Sequence, residues 1–151
     1  MNDWLGLRER TVLVAGAGGL GGASALALAD LGARVLAVDV DQARLVRLHQ
    51  QVREHGGHLE VIAADLAEPE NCRRVVKEAA GRLGPIQVFL HAVGRNSRLP
   101  ILDLDDDTWS DLVNLNLSAA YWVRLGREAG VDTPLNQAVT ALIDGLERSW
   151  S

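Results

Sequence analysis

Short apolar runs rich in β-branched residues alternate along this chain with longer stretches in which apolar residues recur every three or four positions. The short runs are typical of buried strands, and the longer stretches are typical of amphipathic helices. Four strands are predicted in this way, at residues 11–15, 34–38, 59–63 and 86–93. Strict alternation of strands and helices favours a parallel sheet covered by helices on both faces, which is the α/β class.

A helix is predicted after each strand. The first runs from Gly19 to Leu31, the second follows a cap at Asp41, the third runs from Pro69 to Leu83, and the fourth begins at a cap on Thr108. The predicted inward faces are Leu20, Ala23, Ala27, Leu28 and Leu31 in the first helix, Ala43, Leu45, Val46, Leu48 and Val52 in the second, and Val75, Val76, Ala79, Ala80 and Leu83 in the third. The fourth helix extends to Val123.

No further strand pattern follows residue 123. Residues 124–129 are predicted to be helical, and Thr133-Pro134 opens a last helix whose apolar stripe runs from Leu135 to Trp150. Residues 1–151 are therefore predicted to form one Rossmann-like domain, with βα units over 1–123 and a helical tail over 124–151. Its doubly wound parallel sheet is expected to have about four strands in the order 3-2-1-4.

Charge and cysteine content exclude several classes of function. Twenty acidic against fifteen basic residues argue against nucleic-acid and anionic-membrane partners. The single cysteine, Cys72, has no Cys/His cluster around it, so neither an internal disulfide nor a metal site is expected. No apolar stretch approaches the roughly 20 residues of a membrane span, and no signal segment is seen at the N-terminus. A cytoplasmic location is expected.

A glycine-rich loop lies between the first strand and the first helix. Gly16, Gly18 and Gly21 fit G-x-G-x-x-G, in which the glycines allow a tight turn, a close backbone approach to a pyrophosphate and close packing of helix on strand. Glycines that merely end a strand are one alternative, and an S-adenosylmethionine-binding domain is another. No G-x-x-x-x-G-K-[ST] occurs, which excludes a nucleoside-triphosphatase P-loop.

Asp39 ends the second strand, 23 positions after Gly16. A carboxylate there can accept hydrogen bonds from an adenosine ribose diol and repels a 2′-phosphate, so it favours NAD over NADP. The alternative is that Asp39 caps the second helix in competition with Asp41. His91, at the end of the fourth strand, is a further candidate for cofactor contact, with a structural role as its alternative.

These motifs, together with Asp65-Leu66, His91-Ala92-Val93-Gly94 and Asn114-Leu115-Asn116-Leu117, resemble the short-chain dehydrogenase/reductase family over residues 7–123. The resemblance implies an NAD-binding oxidoreductase domain and assigns roles residue by residue. The assigned cofactor residues are Gly16, Gly19 and Gly21 at the pyrophosphate, Asp39 at the ribose, Asp65 and Leu66 at adenine, and Ala92 and Gly94 at the turn after the fourth strand. Gly18 and Leu20 of the same loop are also predicted to bind the cofactor. Asn116 corresponds to the catalytic asparagine.

The chain departs from the family at the catalytic pair Tyr-x-x-x-Lys. Its one tyrosine, Tyr121, is followed four positions later by Leu125, and its one lysine is Lys77. A phenol that transfers a proton to or from substrate needs a nearby ammonium to lower its pKa. Catalysis is therefore expected to be incomplete.

Residues 124–150 resemble the end of a ketopantoate reductase, where a Gly-Val-x-Thr-Pro-x-Asn turn introduces a terminal helix. A truncated dehydrogenase half joined to a foreign helix is the resulting expectation. The alternative is a recombined or engineered structural protein with a vestigial cofactor site. Because a sheet ending at the fourth strand exposes an edge, a homodimer through that side or through the terminal helix is expected.

Overall fold

Strands and helices alternate throughout the part of the chain that the computed structural model describes, which is residues 5–128 for the backbone and 5–117 for the side chains. The elements in chain order are β1 (Thr11–Ala15), α1 (Gly19–Asp30), β2 (Arg34–Asp39), α2 (Gln42–Glu54), β3 (Leu59–Ala63), α3 (Pro69–Leu83), β4 (Val88–His91), a 3-10 turn (Ile101–Asp103) and α4 (Asp106–Glu128).

The four strands form one parallel sheet in the order β3-β2-β1-β4, as the sequence predicts. β1 lies at the centre, with Leu13 opposite Leu36 of β2 on one side and Phe89 of β4 on the other. All five residues of β1 are buried because the strand has a neighbour on each side and helices on both faces.

Successive residues of the strands feed two separate cores, one on each face of the sheet. Val12, Val14 and Val35 pack with buried residues of α1 and α2, whereas Leu13 and Leu36 pack with those of α3. This alternation follows from the two-residue period of a strand and confirms the predicted covering of both faces. The α/β, doubly wound, Rossmann-like fold is thereby confirmed.

The predicted inward face of α1 is wrong at three of its five residues, whereas Leu28 and Leu31 are half-buried and Leu28 packs against the core. The buried residues are Gly21, Ala25 and Ala29, whereas Leu20 is 85% exposed and Ala23 and Ala27 are also exposed. α1 is apolar on most of its surface, so hydrophobic spacing does not select one side. Steric fit does, because the start of α1 lies so close to the glycine loop that a Cβ on Gly21 would be 1.8 Å from the Gly16 carbonyl oxygen.

The predicted faces of α2 and α3 are confirmed in part. Leu45, Leu48 and Val52 are buried as expected, but Ala43 and Val46 are exposed. In α3 the buried residues are Cys72, Val75, Val76, Ala79 and Leu83, and Ala80 is half-buried.

β4 is shorter and more exposed than the sequence predicts. A buried strand over 86–93 is expected, whereas Val88–His91 are paired and all four residues are half-buried. Among the described residues β4 pairs with β1 alone, so its second edge lacks the neighbour that buries a central strand.

α4 begins before the predicted cap. Thr108 is not the cap; the Asp105 carboxylate accepts a 2.6 Å hydrogen bond from the main-chain N–H of Thr108, and the helix starts at Asp106. α4 continues to Glu128, through the boundary placed at 123/124. The rest of the tail, with the helix predicted from Thr133 and the resemblance to ketopantoate reductase, lies outside the described residues.

Candidate functional site

The carboxyl ends of all four strands open onto one cleft of about 320 Å³. In parallel sheets this edge collects the residues that follow each strand, and the cleft lies where the strand order reverses between β1 and β4. Seven of the predicted site residues line it: Gly16, Gly18, Asp39, Asp65, Leu66, Ala92 and Gly94. Arg44, Arg95 and Leu115 line it as well, although the sequence reasoning did not select them.

Two glycines of the loop after β1 are required by close packing. Gly16 has φ +93°, and a Cβ on it would lie 2.7 Å from main-chain atoms of Ala92 and Val93. A Cβ on Gly21 would lie 1.8 Å from the carbonyl oxygen of Gly16. The first glycine therefore makes the turn beside β4, and the last lets α1 pack against the loop.

Gly18 and Gly19 lie where the loop faces open space. A Cβ on Gly19 would meet nothing within 4 Å, and one on Gly18 would lie 3.8 Å from the Arg44 guanidinium. Gly18 gives α1 no side-chain cap, and the first turn has no acidic residue. The free N–H groups and the positive end of the helix dipole suit a phosphate, and the open space over the glycines would admit a pyrophosphate. Leu20 follows them as an exposed residue.

Asp39 connects the end of β2 to the glycine loop. One carboxylate oxygen accepts a 2.7 Å hydrogen bond from the main-chain N–H of Ala17, and the other accepts a 2.9 Å bond from that of Asp41. Burial alone would raise the pKa of Asp39, but the hydrogen bonds from Asp41 and Ala17 and the adjacent Arg44 outweigh it and hold the pKa below its ordinary value. Asp39 is therefore a buried carboxylate that stays ionised at neutral pH.

Arg44, in the first turn of α2, binds Asp39 directly. Its Nη1 lies 3.1 Å from each of the two carboxylate oxygens. The cap of α2 is Asp41, whose carboxylate accepts a 3.0 Å hydrogen bond from the main-chain N–H of Arg44. The alternative in which Asp39 caps this helix is therefore wrong. The sequence contains one signal for the contact between Arg44 and Asp39, which is an arginine in the first turn of the helix, three residues after the capping Asp41.

Asp65 and Leu66 lie at the edge of the cleft that follows β3. The Asp65 carboxylate accepts a 2.9 Å hydrogen bond from the main-chain N–H of Ala67, and its carbonyl accepts one of 3.0 Å from the Asn71 amide. Leu66 is buried, and its carbonyl accepts a bond from the Cys72 thiol. These contacts fix the conformation of the segment and leave Asp65 exposed.

Asn116 of α4 fixes the turn after β4. Its side-chain oxygen accepts a 2.9 Å hydrogen bond from the Arg95 N–H, and its amide group donates one of 2.8 Å to the Arg95 carbonyl. A Cβ on Gly94 would lie 3.1 Å from that same oxygen. Both polar groups of the Asn116 side chain thus serve the backbone of this turn. The Arg95 side chain pairs with Asp111 at 3.2 Å.

His91 lies on β4, half-buried, and not among the residues that line the cleft. Neither ring nitrogen has a hydrogen-bond partner within the described side chains. Burial lowers the pKa of His91, against a smaller opposing effect of the Asn116 main chain. The imidazole is thus held in its neutral form at pH 7.

Two further groups complete the comparison with the predicted residues. Lys77 is exposed on α3, apart from the cleft, and Tyr121 belongs to the part of α4 whose side chains are not described. Among residues 5–117 there is no group of three metal-ligating side chains. Within the described backbone, no helix is long and apolar enough to cross a membrane.

Comparison with known proteins identifies the family. A model of the short chain dehydrogenase family matches residues 10–125. The chain is 28% identical over 115 residues to 3beta-hydroxysteroid dehydrogenase 2 of Eggerthella lenta and 33% identical over 116 residues to the short chain dehydrogenase/reductase dpchG of Colletotrichum higginsianum, in each case over 76% of this chain. A crystal structure of a metagenomic short-chain oxidoreductase in complex with NADP superposes with a TM-score of 0.76 at 27% identity, covering 82% of this chain and 57% of that one.

The chain spans 44% and 43% of the length of those two curated relatives. The match includes all four strands, the glycine loop, Asp39 and the start of α4. The chain therefore belongs to the short-chain dehydrogenase family.

Proposed function

We propose that this chain binds a nicotinamide dinucleotide in the cleft at the carboxyl ends of its strands, as the cofactor-binding part of an oxidoreductase, with NAD(H) preferred over NADP(H). The observation that carries the proposal is Asp39, a buried and ionised carboxylate beside a glycine loop that is open to solvent at Gly19 and half-buried at Gly18. A carboxylate at this place suits a ribose diol and disfavours a second phosphate.

The cleft residues suit different parts of the dinucleotide. The N-terminus of α1 would receive the pyrophosphate over Gly18 and Gly19, while Asp39 would bind the adenosine ribose. The other assignments follow the family resemblance: Asp65 and Leu66 would contact adenine, and Ala92 and Gly94 would line the path toward the nicotinamide. The bound cofactor would supply hydride chemistry, and the protein would supply its binding and orientation.

Asn116 is proposed as a positioning residue. Both ends of its amide are engaged by the Arg95 main chain, so its side chain holds the turn that borders the cleft. The 151 residues contain no Tyr-x-x-x-Lys pair to move a proton to or from a substrate oxygen. We therefore expect this chain by itself to bind cofactor without appreciable hydride transfer.

Titration with NADH and NADPH, followed by cofactor fluorescence or calorimetry, tests the proposal. Wild-type protein is expected to bind both cofactors and to bind NADH more tightly than NADPH. Asp39→Ala is expected to weaken the binding of NADH more than the binding of NADPH. The matched control is Asp103→Ala, which removes an exposed carboxylate from the 3-10 turn. Absence of binding at millimolar cofactor would overturn the proposal and favour a vestigial site.

Self-association is proposed as well. The outer edge of β4 has no partner among the described residues, and exposed strand edges favour pairing with another chain. A homodimer is expected in analytical ultracentrifugation, and a strict monomer at high concentration would contradict it. The cytoplasmic location stays a prediction from the sequence.

A further inference from the structure

Three donor groups make four hydrogen bonds to the Asp39 carboxylate within the protein. One oxygen accepts from the Asp41 N–H and from Arg44 Nη1, and the other accepts from the Ala17 N–H and from the same Nη1. An ionised carboxylate has about four lone-pair sites. A ribose hydroxyl that binds Asp39 therefore competes with these donors.

Arg44 is the donor that can leave. The N–H groups of Ala17 and Asp41 belong to the backbone at the glycine loop and at the start of α2, whereas Arg44 reaches Asp39 through a flexible side chain that is 42% exposed. Its second nitrogen, Nη2, lies 3.6 Å from the Asp41 carboxylate, so the guanidinium keeps a partner when it moves away from Asp39.

Arg44 also places a positive charge at the mouth of the cleft. Its guanidinium lies 3.8 Å from the Cβ position of Gly18, between the glycine loop and α2. An arginine beside the adenosine ribose can pair with a 2′-phosphate through charge-assisted hydrogen bonds. The side chain that competes with the diol of NAD is thus the one able to bind the extra phosphate of NADP.

We propose that Arg44 is a specificity-determining residue that reduces the preference for NAD(H) over NADP(H). Arg44 competes with the ribose diol of NAD(H) for Asp39, and its guanidinium offers a cation to the 2′-phosphate of NADP(H). NAD(H) binds with Arg44 displaced from Asp39, and NADP(H) binds with Arg44 on the phosphate. This inference rests on the proposed dinucleotide site.

Dissociation constants of NADH and NADPH, measured by calorimetry on the full chain, test the inference. Arg44→Met keeps the aliphatic part of the side chain and removes the guanidinium. The variant is expected to bind NADPH about tenfold more weakly than wild type and to bind NADH equally well or more tightly. Arg44→Gln keeps a polar side chain that favours a helix, and it should shift the ratio of the NADPH and NADH dissociation constants in the same direction. This second variant tests the inference if Arg44→Met does not fold. Arg53→Met is the matched control, because Arg53 is an exposed arginine in the last turn of the same helix, outside the residues that line the cleft and the glycine loop, and its loss removes the same charge.

The outcomes separate the inference from the proposed function. A changed ratio of the NADPH and NADH dissociation constants in the Arg44 variants, with the Arg53 variant like wild type, supports the inference. An unchanged ratio in folded Arg44 variants overturns it and leaves the dinucleotide site standing. Equal shifts in the Arg44 and Arg53 variants also overturn it, because they indicate a general charge effect. Failure of wild-type protein to bind either dinucleotide overturns both.

Discussion

The main-chain N–H of Ala17 donates a 2.7 Å hydrogen bond to the carboxylate of Asp39. This bond joins the loop after β1 to the end of β2 across 22 positions of sequence, and both residues are buried. Asp39 therefore helps to order the glycine loop. Substitutions at Asp39 are expected to affect folding as well as cofactor binding.

Folding stability should depend on the ionisation of Asp39. Its pKa in the folded protein is held below the ordinary 3.8 by its hydrogen bonds and Arg44, despite the opposing effect of burial. A carboxyl group whose pKa is lower in the folded state stabilises the fold above the unfolded pKa, and this contribution is lost as pH falls through the folded pKa. The free energy of unfolding should therefore decline as pH falls from about 5 through that value.

Asp39→Asn tests this dependence. The variant is expected to be less stable at pH 7 by about 1–3 kcal/mol, because an amide group replaces an acceptor that three donors use. Its stability should also vary less with pH between 3 and 6 than that of wild type. Urea unfolding at each pH measures both effects, with Asp103→Asn as the control, and parallel pH profiles for Asp39→Asn and wild type would contradict the prediction.

Alanine substitutions at two glycines of the loop are expected to affect different properties, stability in one case and dinucleotide binding in the other. Gly21→Ala places a methyl group 1.8 Å from the Gly16 carbonyl oxygen, so it should destabilise the fold by roughly 1–3 kcal/mol or more. Gly19→Ala meets nothing within 4 Å, so folding should be preserved while dinucleotide binding weakens, because the methyl group lies in the space proposed for the pyrophosphate. Thermal unfolding and NADH titration separate the effects, and unimpaired folding of Gly21→Ala would show that the loop is looser than described.

Much of the architecture could be predicted because it depends on local pattern. Apolar runs and helical spacing indicate the four strands and the helices between them. The glycine loop after the first strand indicates a doubly wound sheet, and the order 3-2-1-4 follows from that fold. The gathering of Gly16, Asp39, Asp65 and Gly94 at one edge also follows, because parallel strands bring their carboxyl ends together.

The features that could not be predicted from the sequence depend on distances between elements of secondary structure. The inward face of α1 is chosen by the close approach of Gly21 to Gly16, which hydrophobic spacing does not encode. The contact of Arg44 with Asp39 depends on how α2 leaves β2, and the partial exposure of β4 depends on whether a further strand lies beside it.

Asn116 is expected to contribute to stability through the turn after β4. Asn116→Ala removes two hydrogen bonds to the Arg95 main chain, and at this exposed site the cost should be about 1 kcal/mol. Ser110→Ala is the control, because it makes a similar gain in helix propensity on the same helix at an exposed position. Equal stabilities of the two variants in urea unfolding would contradict the positioning role.

Cys72 is expected to be unreactive in the folded protein. Burial raises the pKa of its thiol from 9.0 to about 11, against a smaller opposing effect of Arg73. A shift of two pH units lowers the thiolate fraction at pH 8 about a hundredfold, and the thiolate is the species that reacts. The side chain is also 2% exposed, so alkylation should require opening of the contact between α3 and the segment at Leu66.

The rate of alkylation by iodoacetamide, followed by mass spectrometry, measures this protection. Native protein should react at least a hundredfold more slowly than urea-unfolded protein at pH 8. Substitution of the buried neighbour Val75 by alanine should raise the rate in proportion to the lost stability, because openings become more frequent. Rapid labelling of native wild-type protein would contradict the predicted protection of Cys72.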